Sequence, residues 1–175
     1  MSVIRKFSVD RLARTFTAPI EKHSLVMHLY FFEKIKRLYE YKNEIFGNLI
    51  CSHSKQGFYS VYIVEHIWLG SEGDGGAVKD NKRLSVSSKT IIEFHTHPKH
   101  LQHFQNNFSE GDLLTLEDKS IGDIDYKHVL FTKYNILTFS STGLDIRVAQ
   151  GSDKEIRAID QEWQNKEHIQ QNIIL

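Results

Sequence analysis

The chain is poor in the residues that make disulfides, kinks and membrane spans. It has one cysteine, Cys51, in 175 residues. A lone cysteine excludes an internal disulfide and fits a reducing compartment. It also argues against a structural metal site, which would recruit several thiolates. Only two prolines occur, and one of them, Pro98, stands in the most informative stretch. No apolar run approaches the roughly 18 residues that a membrane span requires. The opening MSVIRKFSVDRLARTF carries charges at Arg5, Lys6, Asp10, Arg11 and Arg14, so it holds no secretory core. Charge of either sign is not in excess: 22 Lys and Arg balance 22 Asp and Glu. No net field steers the chain to nucleic acid or to an anionic membrane. The expectation is a cytoplasmic, intracellular protein without nucleic-acid or membrane partners.

What is present fits one soluble domain over residues 1–175, with 40% apolar and 25% charged residues. Residues 1–23 read as an N-terminal extension, either an edge strand over Ser2–Val9 or a short helix over Val9–Phe16. Ser24–His28 reads as a strand. Leu29–Tyr41 has helical spacing at Phe31, Phe32, Ile35, Leu38 and Tyr39. Glu44–Ile50 reads as a strand in which Gly47 marks a bulge or a close backbone approach. Ser52–Gly57 reads as a turn, and Phe58–Leu69 as the partner strand of a hairpin. Gly70–Lys82 is polar and glycine-rich, the pattern of a surface loop. After a β-rich run over Arg83–Phe94 come a helix near Leu113, strands at His128–Thr132, Ile136–Ser140 and Leu144–Ala149, and a C-terminal helix over 153–175. Steady βαβ alternation is missing. The pattern predicts an α+β fold: a mixed, largely antiparallel sheet flanked by helices.

The stretch Ile91–Asp112, IIEFHTHPKHLQHFQNNFSEGD, organises the chemistry. On a strand, residues i and i+2 share a face, so His95 and His97 converge while Thr96 points away. Pro98 cannot donate to a ladder and ends the strand, leaving both imidazoles at a sheet rim. Ser109 suits a helix N-cap, which puts Asp112 at the third helical position. His-x-His alone is weak, and two ordinary polar histidines and a simple capping box are the plainer reading. Read together, two histidines and a carboxylate leave a fourth tetrahedral position open, the arrangement of a catalytic zinc site. Glu44 reads either as a solvated strand-start residue or as a general base.

The set Glu44-Ile45-Phe46-Gly47-Asn48-Leu49, then His95-Thr96-His97-Pro98, then Ser109-x-x-Asp112 resembles the JAMM family of zinc metalloproteases, also known as MPN-plus or JAB domains. The resemblance spans about Ser24–Ala149. It implies a JAB/MPN-like domain of cytidine-deaminase-like architecture. It also implies Zn2+ held by His95, His97 and Asp112, with Glu44 as general base and Ser109 as donor to the oxyanion. The substrate implied is a protein, cut at a peptide or isopeptide bond in the tail of ubiquitin or a ubiquitin-like protein. Two departures stand out. Eleven residues separate His97 from Ser109, where the family usually has seven. The helix that usually precedes the His-x-His strand has no counterpart in Gly70–Ser88. The loop residues Gly70, Lys82, His100 and His103 are therefore candidates for substrate contact.

The competing reading is a non-catalytic MPN-type scaffold that binds partners. A zincin is excluded by the absence of His-Glu-x-x-His, and an amidohydrolase barrel needs about 250 residues. Glu65 is a candidate second acid. Cys51, Trp68 and Trp163 read as core residues. The apolar stripe of the C-terminal helix packs on the sheet or supports a homodimer.

Overall fold

The computed structural model describes residues 2–13, 22–38, 41, 43–72, 84–98 and 106–166. Within them β-branched and aromatic runs form eight strands: β1 (Val3–Ser8), β2 (His23–His28), β3 (Ile45–Gln56), β4 (Tyr59–Glu72), β5 (Thr90–Thr96), β6 (His128–Phe131), β7 (Asn135–Ser140) and β8 (Asp145–Ala149). The four helices are α1 (Val9–Leu12), α2 (Leu29–Leu38), α3 (Glu110–Gly122) and α4 (Lys154–Gln164). All eight strands join one sheet in the order β1-β7-β6-β5-β3-β4-β2-β8. Pairings β1·β7, β7·β6, β5·β3 and β3·β4 are antiparallel. Pairings β5·β6, β2·β4 and β2·β8 are parallel. Arg5 on one edge strand meets Asp145 on the other at 3.0 Å, so the sheet curls almost into a barrel. The mixed, largely antiparallel α+β expectation therefore holds.

The core lies between the sheet and α2. Phe31, Phe32, Ile35 and Leu38 form the buried face of that helix. They join Leu25, Met27, Leu49, Ile92 and Phe131 in one cluster. Each such side chain contributes about 1.5–3 kcal/mol by leaving water. Cys51 is fully buried in the same cluster, where burial pushes its thiol pKa up. Trp68 and Trp163 pack together with Ile50 and Leu84.

Several local expectations need correction. Both N-terminal alternatives exist in shortened form: β1 is an edge strand, and α1 follows it with Ser8 as N-cap. Ser52–Gly57 is not a turn, because β3 continues to Gln56 and only Gly57, at φ +60°, and Phe58 reverse the chain. Gly70 does not open a loop. It lies inside β4, which extends to Glu72 by pairing with Phe46 and Ile45. Gly47 faces Leu69 and Phe46 faces Ser71, so Gly70 is the extra residue of a β-bulge, with Glu65 the extra residue of a second one. Gly47 instead answers to a close approach: a Cβ there would run into the Trp68 carbonyl and meet the Phe94 ring at 2.6 Å. Residues 84–89 form no helix. No helix among the described residues is long and apolar enough to cross a membrane.

Helix α4 is held on the sheet by a buried acid as well as by Trp163. Asp160 accepts from His66 Nδ1 at 2.7 Å, Lys34 Nζ at 2.6 Å, Tyr30 Oη at 2.7 Å and Gln164 Nε2 at 3.1 Å. Burial alone would raise its pKa, but these donors outweigh burial and pull it from 3.8 down to about 2. The contribution is therefore present above pH 3.8 and is lost as pH falls through about 2. Asp160→Ala is expected to lose about 3 kcal/mol of unfolding free energy at pH 7, as buried pairs do when one partner is removed. Urea denaturation should show the gap to wild type narrowing as pH falls from 3.8 towards 2. A constant gap would assign the loss to packing instead.

Candidate metal centre

Strand β5 lies between β3 and β6, with Phe46 opposite His95 on one side and Leu130 opposite it on the other. The pleat puts Glu93, His95 and His97 on one face. His97 lies one residue past the strand end, where its N–H still reaches the Phe131 carbonyl at 3.1 Å. Pro98 follows and the ladder stops. Thr96 points to the opposite face, as alternation requires, and its hydroxyl accepts the Ile45 N–H at 3.0 Å. That bond ties the start of β3, and with it Glu44, to the histidine strand.

Helix α3 delivers the third group. Ser109 is its N-cap: Ser109 Oγ accepts the Asp112 N–H at 3.0 Å and Asp112 Oδ2 accepts the Ser109 N–H at 2.9 Å. This capping box turns the Asp112 carboxylate toward β5. Asp112 Oδ2 lies 3.0 Å from His97 Nε2 and 3.2 Å from His95 Nε2. Glu44 Oε1 lies 3.7 Å from His97 Nε2. Glu44 and Asp112 are 7% exposed and the two histidines 2%. Phe46 stacks on the His95 ring at 5.4 Å and supplies an apolar wall.

These residues fit a metal ion. One donor atom from each of His95, His97 and Asp112 falls within 4.8 Å of the others. His95 Nε2 is buried and makes no hydrogen bond, its 3.2 Å approach to Asp112 lacking the geometry for one. Leaving a buried polar atom unsatisfied costs about 1–3 kcal/mol, and a cation there would remove the cost.

The charges are tuned in opposite directions. Burial raises the Glu44 pKa, partly opposed by the neighbouring His95 and His97. Asp112 is held well below the carboxylate range: burial works against ionisation, and the facing His95 and His97 rings together with the Ser109 N–H more than compensate. One carboxylate is thus poised to take up a proton and the other to remain an anion.

Of the residues singled out from sequence, Glu44, His95, His97, Ser109 and Asp112 come together. Lys82, His100 and His103 lie outside the described residues. Gly70 sits in β4, as the bulge residue. Glu65 is not a second acid at this site, because its carboxylate takes Lys89 Nζ at 2.7 Å and Trp163 Nε1 at 3.2 Å. A cavity of about 800 Å³, lined by His23, His53, Lys55, Tyr62, Lys127 and other residues, contains none of the metal-centre groups.

A buried second layer escaped the sequence reading. His95 Nδ1 meets His128 Nε2 at 2.6 Å, and His128 Nδ1 meets Tyr126 Oη at 3.1 Å. The Tyr126 hydroxyl donates to Glu93 Oε2 at 3.1 Å, which also accepts from Lys119 Nζ at 2.8 Å. Burial, assisted by His95 and Lys119, holds His128 well below the histidine range, so its ring is neutral. A signal existed in the sequence. Glu93 is a charged residue inside an apolar run and shares strand parity with His95. His128 opens a strand, but its pairing beside β5 has no local signature.

The Glu44 shift gives a test on metal-free protein. A carboxyl whose folded pKa is raised above its ordinary 4.5 stabilises below that value and loses the contribution as pH rises through the folded pKa. Glu44→Gln removes the ionisation while keeping the shape. Thermal unfolding of the metal-free variant is expected at a higher temperature than wild type at pH 7, with the difference shrinking toward pH 4.5. A variant less stable than wild type at pH 7 would contradict a raised Glu44 pKa.

Comparison with protein-family models and with curated proteins returns no match, so the reading of this centre rests on its own geometry.

Proposed function

We propose that this chain is a JAMM-type zinc-dependent peptidase or isopeptidase. The supporting observation is the convergence of a bare, buried His95 Nε2 with His97 and Asp112 around one point, beside a buried glutamate of raised pKa. Two imidazoles and one carboxylate suit Zn2+ and leave one position open. When bound, the ion supplies Lewis acidity for a carbonyl and lowers the pKa of a water to about 7.

The chain's own residues supply the rest. Glu44 takes a proton from the attacking water and returns it to the leaving amine. Its burial keeps it basic enough for both steps. Ser109 Oγ already accepts the Asp112 N–H, so its own hydrogen is available to donate to the developing oxyanion. Asp112 stays ionised and anchors both histidines. The substrate class, the tail of ubiquitin or a ubiquitin-like protein, follows from the family resemblance.

The test combines metal content with turnover. Purified protein is expected to hold one Zn2+ per chain and to cleave ubiquitin-like fusion substrates. Glu44→Gln should keep its zinc and lose roughly 10²–10⁴ in kcat. Ser109→Ala should lose roughly 10²–10³ in kcat and about 1 kcal/mol of stability as a broken cap. A folded protein with no stoichiometric zinc and no cleavage would favour the non-catalytic scaffold, and full activity in Glu44→Gln would sink the mechanism.

A further inference from the structure

We propose that His128, Tyr126 and Glu93 are positioning residues, a one-way hydrogen-bond relay that holds His95 with its Nε2 lone pair facing the metal centre. The inference rests on the proposed metal site and adds to it three residues outside the motif.

The direction of the relay is set from its outer end. Glu93, paired with Lys119 at 2.8 Å, is a carboxylate and can only accept. The Tyr126 hydroxyl has one hydrogen, and it goes to Glu93 at 3.1 Å. Tyr126 Oη can then only accept from His128, so the hydrogen of the His128 ring is on Nδ1. At 2.6 Å one of His128 Nε2 and His95 Nδ1 donates to the other, and with the His128 hydrogen on Nδ1 the donor is His95 Nδ1. His95 Nε2 is left bare. That is the same atom that is buried, lacks a hydrogen bond and faces Asp112 Oδ2. Two independent observations thus agree on one tautomer.

Metal-binding histidines usually give their second nitrogen to a carboxylate or a carbonyl. In this chain the acceptor is a second imidazole, and the carboxylate stands two hydrogen bonds further out. The arrangement follows from the fold. Glu93 and His95 share a face of β5, and β6 runs parallel to β5 with His128 opposite Glu93. The crossover helix α3 brings Lys119 onto Glu93. The helix that carries Asp112 at its start therefore also closes the relay near its end.

The test uses the full chain and Zn2+ alone as probe. Long-range 1H–15N NMR on zinc-free protein at pH 8 reads the ring tautomers, and chelator competition reads zinc affinity. Wild type is expected to show His95 and His128 both protonated at Nδ1. His128→Leu should bind Zn2+ about 10- to 100-fold more weakly. Tyr126→Phe removes only a hydroxyl, and should mix the His128 tautomers and weaken zinc binding by a smaller factor. Urea unfolding of Tyr126→Phe checks that its fold survives. His95 protonated at Nε2, or zinc affinity unchanged in both variants while wild type binds one ion, overturns the relay and leaves the metal site standing. No zinc uptake by wild type removes the metal site, and the relay's role goes with it.

Discussion

One carboxylate oxygen ties the helix to the site. Asp112 Oδ2 takes the Ser109 N–H, closing the cap of α3, and the same oxygen faces Nε2 of both His95 and His97. The atom that satisfies the helix end is thus the atom that gathers the imidazoles. Neither role is independent of the other. The cap fixes the Asp112 rotamer, and the fixed rotamer gives the centre its shape. Helix and strand are brought together by topology, because β5 and β6 are parallel and parallel neighbours need a crossover. Helix α3 is that crossover, so its first turn lies at the C-terminal end of β5, beside the histidines.

The remaining groups reach the centre through neighbours of β5. Thr96, on the face opposite the histidines, takes the Ile45 N–H and keeps Glu44 beside His97. Gly47 lets β3 run so close to Phe94 and the Trp68 carbonyl that no side chain fits. Trp68 in turn packs with Trp163 of α4, and Asp160 holds the same helix to α2 and β4. A change at Thr96 or Gly47 acts on the start of β3 beside Glu44, and a packed interior has little slack to absorb it.

What could be read in advance was whatever has a local rule. Alternation put His95 and His97 on one face and Thr96 on the other. The Ser109-x-x-Asp112 spacing announced a capping box, and the box is there with both bonds. The 3.6-residue period found α2 and its buried face. What could not be read depends on which strand lies beside which. His128 supports His95 only because β6 pairs parallel with β5, and no residue near His128 encodes that pairing. The extra residue of the bulge falls at Gly70 rather than Gly47 for the same reason, since a bulge is a property of two registers. Nothing local distinguishes Asp160 from other helix acids; only the fold places His66, Lys34 and Tyr30 around it.

The energetics argue that the centre is kept for use. Four polar side chains are nearly removed from water at the end of β5, one nitrogen has no hydrogen bond, and burial raises the pKa of one carboxylate. Apolar residues of similar volume would satisfy packing there without these costs. Asp160, by contrast, is equally buried yet accepts from four donors and is a structural acid. The difference lies in satisfaction, not in burial. Around Asp160 every strong donor points at the carboxylate, and the cluster is complete. Around Asp112 the donors converge but leave His95 Nε2 bare, and local rules of this kind tend to fail where a protein works on something other than itself. A cation satisfies the bare nitrogen and favours the ionised form of both carboxylates. Binding it is therefore expected to stabilise the fold, offsetting what the bare nitrogen and the buried glutamate cost.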